Sequence, residues 1–115
     1  MGDQGRRSAQ GLHTTLSESR SAHLVTVTGE MDGSNARELE DELIRLEHEA
    51  GAQTRIVLNL SHLTFIDSTG LAVILRAHAR MKRSGHSLAL TRPEGPQVGR
   101  AFELSGLDQA LSFVD

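Results

Sequence analysis

The run Arg55 to Leu60 (RIVLNL) is short and almost continuously apolar, the mark of a strand at the centre of a sheet. Helical patterns flank it on both sides. Ser34 offers an N-cap, Leu39, Leu43, Leu46 and Ala50 recur at helical spacing, and Gly51 stops the run. After Asp67-Ser68-Thr69-Gly70 a second helix is predicted through Ser84, with Leu71, Ile74, Leu75 and Met81 as its apolar stripe and Gly85 as its stop. A central strand between two amphipathic helices requires an α/β layer architecture.

The remaining segments fit around that centre. Leu12, Thr14 and Leu16 alternate with polar residues, a half-buried strand at period two. The polar turn Glu18 to Ser21 leads to a β-branched strand from His23 to Gly29, so these two strands should form an antiparallel hairpin. His62 to Ile66 reads as an apolar lead into the second helix, and Ser87 to Thr91 as another strand. Pro96 starts a third helix through Phe102 and Leu104 that Gly106 ends, and Leu111 to Val114 supplies a short last strand. The predicted order is β-β-α-β-α-β-α-β, one domain over 12–115 with a mixed sheet flanked by helices. Residues 1–11, rich in Gly and polar side chains, are expected to be a disordered tail.

Composition removes whole classes of chemistry. The 115 residues include no Cys, Trp or Tyr and three Phe, so the core must be aliphatic and thiolate chemistry is absent. Twelve basic against fifteen acidic residues give a net charge of −3, a poor footprint for a nucleic-acid binder. Lys82 is the sole lysine, and no Gly-x-Gly or Walker loop exists to cradle a phosphate. The six His do not fall at metal-ligand spacing. No cofactor and no metal are therefore expected. No apolar window is long enough to cross a membrane, and no apolar stretch follows Arg6-Arg7 as in an export signal, so a cytoplasmic protein is expected. The charges are unevenly spread: Glu40, Asp41, Glu47 and Glu49 make the first helix acidic, and Arg76, Arg80, Lys82 and Arg83 make the end of the second basic, which reads as two opposite faces.

Asp67-Ser68-Thr69-Gly70 lies where an apolar segment gives way to a helix, which places Ser68 at or beside the N-cap. Asp and Ser suit that position for structural reasons alone. Gly70 suits it less, since Gly in a helix costs about 1 kcal/mol against Ala, and it makes better sense where another group approaches closely. Two functional readings stand beside the structural one. Ser68 as a nucleophile, served by Asp67 and His62, needs an oxyanion hole, and the flanks lack a Gly-x-Ser-x-Gly elbow. Ser68 as a phosphate acceptor fits a helix N-terminus, where free N–H groups and the dipole favour an anion.

Four segments in order carry a wider resemblance: Val25-Thr26-Val27-Thr28-Gly29-Glu30-Met31-Asp32, Ile56-Val57-Leu58-Asn59-Leu60, Phe65-Ile66-Asp67-Ser68-Thr69-Gly70-Leu71 and Phe102-Glu103-Leu104-Ser105-Gly106-Leu107. Together they resemble the anti-sigma factor antagonists, bacterial members of the STAS domain group, over nearly the whole chain. The departures are mild: Met31 stands where Leu is commoner, and Thr69 where many members have a second Ser. The resemblance implies a non-catalytic partner-switching regulator of sigma-factor-dependent transcription in a stress response. Unphosphorylated, such an antagonist binds an anti-sigma factor that is also a serine kinase. Phosphorylation of the serine after the motif Asp, here Ser68, releases it, and a serine phosphatase restores it. Thr69 is the alternative acceptor. Asp32, Asp67, Ser68, Thr69 and Gly70 are expected to form the face that meets the partner, on a monomer or weak dimer. The alternative function is a non-catalytic STAS scaffold subunit in a stress-signalling or transporter-associated complex.

Overall fold

The apolar run does form a central strand. A computed structural model describes residues 4–7, 11–18, 22–49 and 54–114. Its elements in chain order are β1 (Gln4–Arg7), β2 (Leu12–Glu18), β3 (Ala22–Met31), α1 (Ala36–Glu49), β4 (Arg55–Asn59), β5 (Leu63–Ile66), α2 (Ser68–Arg83), β6 (Ser87–Thr91), α3 (Pro96–Ser105), α4 (Leu107–Ala110) and β7 (Phe113–Val114). The sheet runs β1-β2-β3-β4-β6-β7, and β5 pairs with the C-terminal part of β3. β1, β2 and β3 are antiparallel to one another in turn, and β3-β4, β3-β5, β4-β6 and β6-β7 are parallel, so the sheet is mixed.

Alternation decides which face is buried. Leu12 and Leu16 of β2, Val25 and Val27 of β3, Ile56 and Leu58 of β4 and Leu90 of β6 are all buried. They join Leu39, Leu43 and Leu46 of α1, Val73, Ile74, Ala77 and Met81 of α2, and Val98 and Phe102 of α3 in one core. On the other face Thr15, Thr26 and Val57 are half-buried and Leu24 is exposed. The core is aliphatic apart from Phe102, whose ring meets Phe113 at 6.0 Å between centroids.

Several expectations need correction. Part of the predicted disordered tail is strand: Gln4–Arg7 pairs antiparallel with β2, from Gln4 opposite Leu16 to Arg7 opposite His13. Backbone groups along the outer edge of β2 need partners, and pairing of this kind requires no apolar side chains. The order gains two further elements, since Leu63–Ile66 is a strand and Leu107–Ala110 a short helix. Helix α1 begins at Ala36, and its entry is turned by Asp32 and Asn35 in place of a Ser34 cap. In α2 the buried stripe is Gly70, Val73, Ile74, Ala77 and Met81, while Leu75 faces outward. Leu104 is likewise exposed on α3. The predicted turn residues 19–21 and the Ala50-Gly51 end of α1 lie outside the described residues.

The two charged helices are neighbours, not opposite faces. Arg76 of α2 holds Glu40 of α1 through two bonds of 2.7 and 2.9 Å, and Arg80 holds Glu47 through two of 2.9 and 2.8 Å. Both pairs have the forked geometry in which Arg recognises a carboxylate best. They tie the accessible edges of α1 and α2, whose buried stripes meet in the core.

Strand β3 is steered toward that N-terminus by a bulge. Through Thr26 it pairs with β4, and from Gly29 onward with β5, with a register shift between Gly29 and Glu30. Gly29 has φ +97, and a Cβ there would stand 2.0 Å from the carbonyl oxygen of Gly11. Only glycine fits this point, which lets β3 and β5 end side by side.

Candidate functional site

Because β3 and β5 are parallel and Met31 is opposite Ile66, the residues that follow each strand, Asp32 and Asp67, emerge at the same end of the sheet. The backbone N–H of Asp67 donates to the carbonyl of Met31 at 3.2 Å, which locks the two exits together. This is the carboxyl end of parallel strands, the place where α/β sheets characteristically present functional loops.

Asp67 is the N-cap of α2, with extended backbone (φ −111, ψ −174). Its Oδ1 accepts the N–H of Gly70 at 3.1 Å, the bond a cap makes to the third helical residue. Its Oδ2 accepts the N–H of Gly33 at 3.2 Å, from the loop before α1. One carboxylate thus ties the starts of two helices. Ser68 is the first helical residue, and both it and Thr69 are exposed. Among the described residues no hydrogen bond holds the Ser68 hydroxyl, and none brings His62 or Asp67 to it as a base. The nucleophile arrangement is not assembled. The N–H groups of Ser68 and Thr69, at the first two helical positions, have no intrahelical partners, and the first turn of α2 carries no acidic side chain. That end of the helix favours an anion.

The loop after β3 is built differently. Oδ1 of Asp32 accepts both the N–H of Ser34 at 2.9 Å and its hydroxyl at 2.6 Å. The Ser34 hydroxyl, followed by the Ser34 N–H, holds the Asp32 carboxyl below the usual carboxylate range. Beneath it Asn35 is only 1% exposed, accepts the N–H of Asp32 at 2.9 Å and donates to the carbonyl of Glu30 at 3.0 Å. The two loops touch: a Cβ on Gly33 would lie 3.7 Å from the Thr69 hydroxyl oxygen. Asp32, Asp67, Ser68 and Thr69 therefore share one surface.

Gly70 does not belong to that surface, which corrects its assignment as a partner-facing residue. It is buried, and a Cβ there would meet Ile66 Cγ1 at 2.7 Å and Met31 Cγ at 3.1 Å. The close approach inferred from the glycine is real, but it comes from the core beneath the helix.

Sequence reasoning missed Asn35 and Gln97. An Asn directly before a helical run is a capping signal, so Asn35 was detectable. Gln97 was not. Its side chain crosses from α3 to the backbone of Ile66, whose N–H donates to Oε1 at 3.1 Å and whose carbonyl accepts from Nε2 at 3.4 Å.

The chain is similar to known proteins over most of its length. Residues 14–115 match the family described as Mlab, STAS domain. An anti-sigma F factor antagonist from Paenibacillus polymyxa is 29% identical over 108 residues, covering 90% of this chain and 87% of that protein. An anti-sigma-B factor antagonist from Bacillus subtilis (strain 168) is 35% identical over 89 residues, covering 77% of this chain and 78% of that protein. Among solved structures, an anti-sigma factor antagonist from Mycobacterium paratuberculosis superposes with a TM-score of 0.79 at 22% identity, over 92% of this chain and 87% of that one. The antagonist SpoIIAA in its unphosphorylated form gives 0.73 at 23% identity, over 89% of this chain and 88% of that one. The Bacillus cell fate determinant SpoIIAA in the phosphorylated form gives 0.67 at 22% identity, over 89% of this chain and 91% of that one. At such identities the superpositions speak to the fold, and the sequence match carries the kinship. The chain belongs to the STAS domain family.

Proposed function

We propose that this protein is an anti-sigma factor antagonist switched by phosphorylation of Ser68. Unphosphorylated, it binds an anti-sigma factor that is also a serine kinase, so that a sigma factor is freed in the cytoplasm. The kinase transfers a phosphoryl group to Ser68: the hydroxyl oxygen bonds to the γ-phosphorus of ATP, the bond to the β–γ bridging oxygen breaks, ADP leaves, and the hydroxyl proton passes to the kinase. The antagonist is then released, and a serine phosphatase hydrolyses the ester to restore it. The observation that carries this reading is the exposed Ser68 hydroxyl at the start of α2, without a hydrogen bond to any of the described residues, beside a carboxylate already committed to backbone donors. The names of the relatives support it, as does a solved phosphorylated form of a STAS neighbour.

The physical effect suits a switch at an interface better than a change of fold. A phosphate adds about −1.5 to −2 charges, and a helix N-terminus stabilises a nearby anion by about 0.3–1 kcal/mol. The domain absorbs it. Across a docking surface, two like unit charges about 7 Å apart repel by about 2.4 kcal/mol at an effective dielectric near 20. A dianion doubles that before screening, and about 1.4 kcal/mol is a tenfold change in affinity. Phosphorylation is thus expected to weaken binding by about two decades or more. Calorimetry with the anti-sigma factor tests this: Ser68→Ala should bind as the unphosphorylated protein does and Ser68→Asp far more weakly. Equal affinities for the two variants would refute the switch. Phosphopeptide mapping decides between Ser68 and Thr69.

A further inference from the structure

We infer that Gln97 is a positioning residue for the Ser68 turn, acting through Ile66; its importance for phosphoryl transfer rests on the functional reading just given. Strand β5 is paired on one side with β3. Unpaired backbone groups on a strand edge need other partners. The backbone of Ile66, one residue before the cap Asp67, receives them from the Gln97 amide, which accepts from the N–H at 3.1 Å and donates to the carbonyl at 3.4 Å. A primary amide can do both at once, which neither a carboxylate nor a hydrocarbon can.

The contact does not stand alone. The N–H of Glu94 donates to the carbonyl of Ser61 at 3.2 Å, and a Cβ on Gly95 would stand 3.4 Å from the carbonyl oxygen of Leu63. Residues 94–97 therefore run beside β5 from its approach to its last residue. Gln97 follows Pro96 in the first turn of α3, and its side chain reaches across to β5. Ile66 in turn packs under Gly70. The peptide before Asp67 is thus held by β3 on one side, by the helix above, and by Gln97 on the remaining edge. Ser68 is two residues away from the clamped peptide, and a displacement of about 1 Å in a reacting group costs on the order of a hundredfold in rate.

The test uses the full chain with Gln97→Met, which keeps the length and loses both bonds, and Gln97→Ala beside it. Phosphorylation is measured with the kinase captured on Ser68→Ala, and backbone amide exchange is read in the same proteins. The expected result is a loss of about tenfold or more in kcat for Ser68, KM for the antagonist within about twofold, and Ile66 amide exchange at least about tenfold faster. The amides of Leu58 and Val73 should keep wild-type protection. Unchanged kcat overturns the inference, and so does a loss of protection that reaches Leu58 and Val73, which would make Gln97 a general stability residue. If the wild-type chain is not phosphorylated on Ser68, the functional reading fails by itself. The clamp is then judged on exchange alone: faster exchange confined to Ile66 and its neighbours sustains it, and wild-type protection at Ile66 overturns it.

Discussion

Ser34 and Ser68 invite comparison, because each is exposed, each lies beside an Asp, and each stands at the entry to a helix at the same end of the sheet. Their hydroxyls are in opposite situations. Ser34 Oγ donates to Asp32 at 2.6 Å, while its N–H donates to the same oxygen, so the side chain is part of the turn. At Ser68 the neighbouring Asp67 spends its two oxygens on Gly33 and Gly70, and among the described residues the hydroxyl has no hydrogen-bond partner. A serine that holds a turn together must break that turn to accept a phosphoryl group. A serine beside a turn held by other groups can accept and lose it while the fold stays as it was.

The largest expected effect separates the two directly. With the kinase and ATP, Ser68→Ala should lose phosphorylation and Ser34→Ala should retain it within about twofold, as read by intact-mass spectrometry. Next comes the support beneath the loops. Asn35→Ala removes a buried amide and strands the N–H of Asp32 and the carbonyl of Glu30, which should cost about 2–3 kcal/mol in urea unfolding. Asp67→Ala removes one cap bond and one tie between the loops and should cost about 1–2 kcal/mol, with the added signature of faster exchange at both Gly33 and Gly70. Protection retained at Gly33 would show that the two loops are not held by this carboxylate.

The smallest effect concerns the clamp between α1 and α2. The Arg76 guanidinium bonded to Glu40, with further help from Arg80, holds the Glu40 carboxyl below its ordinary value. A carboxylate with a lowered folded-state pKa contributes stability that is present above its unfolded pKa and is lost as pH falls through the folded value. Glu40→Gln should therefore be less stable than wild type at pH 7, by under about 1 kcal/mol for so accessible a pair, and the gap should close below about pH 4. A gap that persists at low pH would assign the loss to packing.

What could be read in the sequence followed from local signals. The apolar run at 55–60, the period-two strand at 12–16 and the helical spacing of Leu39, Leu43 and Leu46 each report burial within a few residues, and each is where the pattern says. The position of Ser68 at the head of a helix is legible for the same reason. The rest depends on partners distant in the chain. Leu63–Ile66 does not alternate, with both middle residues exposed, and becomes a strand by pairing with the end of β3. Gln4–Arg7 has no apolar pattern and pairs with an edge. The acidic and basic helices read as separate faces because their pairing spans 33 and 36 residues. Gly70 carried a correct signal, close approach, without saying from which side.

One hydroxyl, at Ser68, is proposed to carry the switch. The measurement that reaches it most directly is the affinity of the anti-sigma factor for the wild-type chain before and after stoichiometric phosphorylation, with the modified residue mapped in the same sample. Phosphate on Ser68 and a loss of about a hundredfold or more are expected. Phosphate on Ser34, or an affinity unchanged by phosphate on Ser68, would contradict it.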